Sequence, residues 1–160
     1  MTARVTTRIL KDIDKAAIDR LKQRLIQDGR IVNVGVPEGK READGTPVAM
    51  IAAVHEFGSP SQGIPERPFL RVAVQRHRLE YIRLNRINLV KMLRGQMTAD
   101  QALGQLGEMA KGDVQTEIRN GDFAPLKPAT IRRKGSSKPL IDTGQMVQSI
   151  AWELGDKSRD

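Results

Sequence analysis

The sequence predicts an α+β fold: a small, mostly antiparallel sheet packed against long helices, in a single domain with extended loops. Three observations predict it. Two short segments, "IVNVGV" at 31–36 and the alternating Ile150, Trp152 and Leu154, have the period of strands. Between them, apolar residues recur at helical spacing over most of 46–120, punctuated by Gly58, Gly95 and Gly121. The 160 residues are the size of one ordinary domain, assigned to 1–155, with 156–160 as a frayed charged tail.

Taken in order, "RVTTRIL" alternates Val5, Thr7 and Ile9 and predicts a short strand. Ile13, Ala17, Leu21 and Leu25 predict a helix over 12–27, stopped by Asp28 and Gly29. "IVNVGV" is β-branched and closed by Pro37, and "PEGKREADG" after it lacks an apolar face, so it predicts a mobile loop or hairpin tip. Thr46 before Pro47 is a helix start, with the threonine as cap and the proline at the first position. The helix "PVAMIAAVHEF" is apolar until His55 and Glu56, which predicts burial between the sheet and another layer.

A helical pattern then runs from Arg67 to Leu93 with no glycine or proline after Pro68. Leu70, Val74, Tyr81 and Leu84 share one face, while Ile82, Leu89 and Leu93 fall on another, rotated by roughly a quarter turn or more at about 100° per residue. Two stripes imply either a bend or two partners, the chain's own domain and a neighbouring subunit. Thr98 and Gln101 have capping-box spacing, and Ala99, Ala102, Leu106, Met109 and Ala110 form the stripe of the next helix. Gly104, Gly107 and Gly112 lower its stability by roughly 1 kcal/mol each relative to alanine, so packing must compensate. Asn120 and Gly121 end it. The chain from 122 reads as loop until Asp142, which caps a last helical turn with Gln145 at the capping-box position.

Composition excludes several chemistries. Only 39% of residues are hydrophobic and 3% aromatic, so the core is thin and made of Leu, Ile, Val, Ala and Met. The absence of cysteine removes disulfides and thiolate chemistry and fits a reducing cytoplasm. No apolar run has the length of a signal peptide or a membrane span. The formal charge of +8 suits nucleic acid, acidic protein or headgroups, but the scarcity of aromatics argues against single-strand readout.

Catalytic and metal signals are weak. His55 and Glu56 are adjacent, hence about 100° apart on a helix, and no nucleophile lies near them in sequence. His55 and His77 lack metal-ligand spacing, and no glycine pattern forms a phosphate cradle. "KPATIRRKGSSK", with Lys127, Arg132, Arg133, Lys134 and Lys138, is either a phosphate contact or, the preferred reading, a solvated or subunit-contacting loop. In "VHEFGSPSQGIPERPFLR" (54–71), Pro60, Pro65 and Pro68 stiffen a loop, and an arginine at 67 or 71 is placed to pair with Glu56 or with a neighbouring chain. That describes an assembly corner, not a reaction centre.

Two stretches carry a resemblance. "IAAVHEFGS" with "IPERPFLR" (51–59 and 64–71) and "LKPATIRRKGSSKPLIDTGQMVQSI" (126–150), following "VNVGVP", resemble in order the signatures of small tail-completion or neck proteins of long-tailed bacteriophages and of the related virion morphogenesis proteins. Glu56, Phe57, Gly58, Arg67, Pro68, Phe69 and Arg71 match the first signature, and Thr130, Lys134, Leu140, Asp142, Thr143 and Gly144 the second. Glu66 departs from it, standing where the family often has a small residue, and "SQ" at 61–62 lengthens the loop.

The resemblance implies a non-enzymatic virion protein at the head-to-tail junction, without cofactor or metal, made in the host cytoplasm. It implies a homo-oligomeric ring, hexamer before dodecamer, around the DNA channel, touching connector, terminator or tail tube proteins and packaged DNA without sequence readout. No membrane partner is implied. The assembly residues expected are Glu56, Phe57, Arg67, Pro68, Phe69, Arg71, Thr130, Arg132, Arg133, Lys134, Asp142 and Thr143. The rival expectation is a basic nucleic-acid-binding protein using 127–138.

Overall fold

The chain is described from a computed structural model that covers residues 29–156 together with Ala16, Asp19, Arg20 and Gln23, which are helical. The strand expected at 5–9, the rest of the helix expected over 12–27, and residues 157–160 lie outside the described residues.

Strand β1 (Arg30–Gly35) forms from the β-branched run and pairs antiparallel with β2 (Ala151–Asp156), so the two ends of the described chain meet in one two-stranded sheet. The register sets Val34 opposite Trp152 and Ile31 opposite Gly155. Asp156, expected in the frayed tail, instead pairs with Arg30 inside the ladder.

Six α-helices lie between the strands: α1 (Val48–Phe57), α2 (Phe69–Arg76), α3 (Arg78–Leu93), α4 (Ala99–Asn120), α5 (Pro128–Lys134) and α6 (Gln145–Ser149). With the sheet they make the α+β fold that the sequence predicts. The central element is α4, which packs against both strands and against α2, α3 and α6. Its start is the expected capping box: the Thr98 hydroxyl accepts from the Gln101 amide, and the Gln101 side chain accepts from the Thr98 amide. Its glycines are explained by Trp152. A Cβ on Gly107 would lie 2.3 Å from the indole and one on Gly104 would lie 3.3 Å from it, so the glycines form a notch in which the ring lies. The indole N–H donates to Glu108 Oε1 at 2.7 Å.

The core joins Val48 and Ala52 of α1, Phe69 and Ala73 of α2, Val114 and Ile118 of α4, Met146 and Val147 of α6, with Leu140 and Ile150 from the flanking chain. It holds one aromatic ring among these ten side chains, as the composition required.

Several expectations are corrected. Thr46 does not cap α1; Pro47 is the cap residue, since the first helical bonds, from the Met50 and Ile51 amides, run to the Pro47 carbonyl and no side chain caps the helix. Nor is α1 buried all round. It packs on α2 and α6, burying Val48, Ala52 and Glu56, while Met50 and Phe57 are 59% and 64% exposed. The 67–93 pattern is two helices, since His77 (φ −96°, ψ 11°) leaves helical geometry between α2 and α3, but both stripes continue on α3, where Tyr81 and Leu84 are half-buried and Ile82 and Leu89 are exposed. Residues 128–134 form α5 where loop was expected, with Pro128 at its first turn and Gly135 in the left-handed region at its end. Asp142 does not cap α6. The helix starts at Gln145, whose amide is taken by the Thr143 hydroxyl at 3.1 Å, and the Gln145 side chain reaches away to the Arg41 carbonyl.

Candidate assembly site

The corner at 54–71 is closed by its own backbone. Gly58 turns the chain out of α1 at φ 73°, where a Cβ would lie 3.0 Å from the returning Glu66 amide nitrogen and Ile64 oxygen. Ser59 and Ile64 exchange N–H···O bonds of 2.9 and 3.0 Å around a 3₁₀ turn at Pro60–Gln62, and the Arg67 amide donates to the His55 carbonyl at 2.7 Å. The two extra residues of the loop, Ser61 and Gln62, sit exposed at its tip. These three backbone bonds and three prolines thus hold one geometry with little conformational freedom left.

Glu56 is the hub of that corner. It is 4% exposed, and its carboxylate accepts from the amides of Leu70 (2.8 Å) and Arg71 (3.1 Å) and from Arg71 Nε (3.0 Å). Those amides are the second and third of α2, whose own cap residue, Pro68, offers no side-chain acceptor. A helix N-terminus leaves such N–H groups unsatisfied and favours a negative charge. A carboxylate from α1 therefore caps α2 across the turn. Sequence reading placed an arginine on Glu56 but missed this cap; a proline-started helix lacking a Ser, Thr, Asp or Asn before it was the available signal.

The two arginines divide the work. Arg71 is exposed; it also bonds Glu66 Oε2 at 2.9 Å and lies 5.7 Å from the Phe57 ring centre. Its bonds to Glu66 and then Glu56 raise its pKa further above the ordinary value. Glu66, the departure from the expected pattern, is thus part of the corner. Arg67 is buried, and it donates from Nε to the Ala124 carbonyl (2.9 Å) and from Nη2 to that of Pro125 (3.3 Å). It ties the first sequence signature to the segment just before the second, across 57 residues of chain.

The second signature folds against that tie. Lys134, at the end of α5, donates to the Lys138 and Pro139 carbonyls at 2.8 and 3.3 Å and closes its own loop. Arg132 and Arg133 stay exposed. Thr143 donates to the Glu42 carboxylate at 3.2 Å, and with the Gln145 bond it pins the 37–45 segment, which is a hairpin tip bridged at Arg41 and Pro47. Between the two signatures lies a cleft of about 680 Å³, with Arg67, Thr130, Arg133, Lys134, Asp142 and Thr143 among its walls. Phe69 belongs to the core, Pro68 is half-buried beside it, and Phe57 stands on the outer surface.

His55 also lines the cleft and points away from the carboxylate of Glu56, as adjacent helical positions require. Its Nδ1 is shut off from solvent without a hydrogen-bond partner, and burial, then the charges of Arg67 and Lys134, push its pKa down to about 4. It is neutral near pH 7 and has no carboxylate to relay a proton. Among the described residues no group of three or more His, Asp or Glu side chains is placed to hold a metal ion, and no helix is long and apolar enough to cross a membrane. Comparison with known protein families, characterised proteins and solved structures found no match to this chain.

Proposed function

We propose that this chain is a structural subunit of a bacteriophage virion, forming a ring at the head-to-tail junction that completes the tail or joins it to the head connector around the DNA channel. The observation that carries the reading is convergence. Two signatures that resemble those of tail-completion proteins lie 55 or more residues apart, yet both line one cleft, and Arg67 of the first bonds the Ala124 and Pro125 carbonyls that lead into the second. A rigid corner that exposes Phe57, a thin core and exposed apolar side chains on α1 (Met50) and α3 (Leu79, Ile82, Ile87, Leu89) suit a subunit completed by neighbours. The mechanism is binding and geometry, with no chemical step.

In a phage lacking its own copy of this gene, Arg67→Ala or Phe69→Ala is expected to lower infectious yield, with filled heads and free tails accumulating in micrographs. Normal yield from both variants would contradict the role given to the corner. Exposed Arg132 and Arg133 favour the rival reading, a nucleic-acid-binding protein. Its mark is duplex binding with a steep salt dependence by a chain that stays monomeric.

A further inference from the structure

Arg67 is 3% exposed and is held only by two neutral carbonyl oxygens. Beside it, Lys134 is half-buried and likewise bonded to carbonyls. Among the described residues, no carboxylate lies within ion-pair distance of either cation, and each depresses the pKa of His55. Buried charges are ordinarily paired, because desolvation is repaid only by an opposite charge close by. Here two cations share one wall of an open cleft without an ion-paired carboxylate, and burial lowers the pKa of both, Asp142 across the cleft only partly offsetting it at Lys134.

We infer that the cleft is a docking site for an extended peptide segment of a partner protein, which places an aspartate or glutamate carboxylate against Arg67 and Lys134. Its volume of about 680 Å³ lies within the roughly 300–1,000 Å³ of ligand sites. The floor is apolar, with Ile51, Ile64, Leu126, Leu140 and Met146 ready for side chains on either side of the carboxylate. Glu42, Asp44 and Asp142 also line it and disfavour a polyanionic phosphate backbone, while a single carboxylate beside the cations meets net attraction. The inference rests on the assembly reading only for the source of the segment, a neighbouring ring or tube subunit.

The test uses the full chain without any partner protein, and the peptide readout at His55 is independent of whether the chain forms rings. The probes are a blocked Leu-Asp-Leu peptide, its Leu-Asn-Leu counterpart and inorganic phosphate, and the readout is the imidazole proton signal of His55 followed through a pH titration. The aspartyl peptide is expected to bind in the millimolar range, at least about tenfold more tightly than the asparaginyl one, and to raise the His55 pKa by about one unit as its charge offsets Arg67 and Lys134. Lys134→Gln, checked for intact folding by circular dichroism, is expected to weaken the aspartyl peptide about fivefold or more and leave the asparaginyl peptide unchanged. Equal binding of the two peptides, no binding of either at several millimolar, or tighter binding of phosphate would overturn the inference. A chain that forms rings yet ignores the peptide would retain the assembly reading and lose this one.

Discussion

Glu56→Ala is expected to lose about 2–4 kcal/mol of folding stability in urea denaturation, because it strips the buried acceptors from two helix-terminal amides at once. Arg71→Ala should lose much less, since its side chain is 54% exposed and its ion pairs are screened by solvent. The order of the two effects is the informative part. If Glu56 acted chiefly as an ion-pair partner, the two substitutions would destabilise alike; as a cap for α2 it must matter more. Glu56→Gln, which keeps one acceptor oxygen but brings an N–H₂ toward amide donors, should fall between them. Equal effects of Glu56→Ala and Arg71→Ala would contradict the capping role.

Gly107→Ala is expected to destabilise by about 2 kcal/mol, although alanine is the better helix former by about 1 kcal/mol. The new methyl would lie 2.3 to 2.7 Å from indole atoms of Trp152, closer than carbon atoms pack, so the ring and with it β2 must shift. Gly112, on the same helix, has nothing within 4 Å of an added Cβ, and Gly112→Ala is expected to stabilise by up to about 1 kcal/mol. In a Trp152→Ala background the penalty at Gly107 should vanish, a coupling that a double-mutant cycle reads directly. A destabilisation at Gly107 that survives the loss of the indole would place its cause elsewhere.

These residues also mark what sequence reading could and could not reach. Local chemistry was legible: the strand at 31–36, the capping box at Thr98 and Gln101, and the alternation at Ile150, Trp152 and Leu154 each depend on neighbours within a few positions, and each formed. The α4 glycines raised a question that only a contact between residues 107 and 152 answers. Helix starts were displaced by one residue or more: the bonds of α1 begin at the Pro47 carbonyl rather than Thr46, and Thr143 rather than Asp142 takes the first amide of α6. Amphipathic pattern showed two faces across 67–93 but not the break at His77, because both faces continue beyond it on α3.

The site was legible as a set of residues more than as a geometry. An arginine at 67 or 71 was expected on Glu56 or on a neighbouring chain; Arg71 is the one that pairs with Glu56, whereas the reach of Arg67 to Ala124 and Pro125 depends on the path of the chain after α4. Glu42 and His55 as cleft residues carried no spacing signal at all. They come together because the segments 37–45 and 128–144 fold against the same end of α1.

The central claim, a ring-forming subunit at the head-to-tail junction, is tested most directly by mass. Light scattering during size exclusion, at low and moderate salt, alone and with the tail tube protein, is expected to give a discrete closed species. The expected mass is about six times the 17.8 kDa chain, formed alone or on meeting the tube. A monomer that persists in both conditions, ignores the tube and binds duplex DNA with steep salt dependence would contradict the claim and leave the nucleic-acid-binding reading in its place.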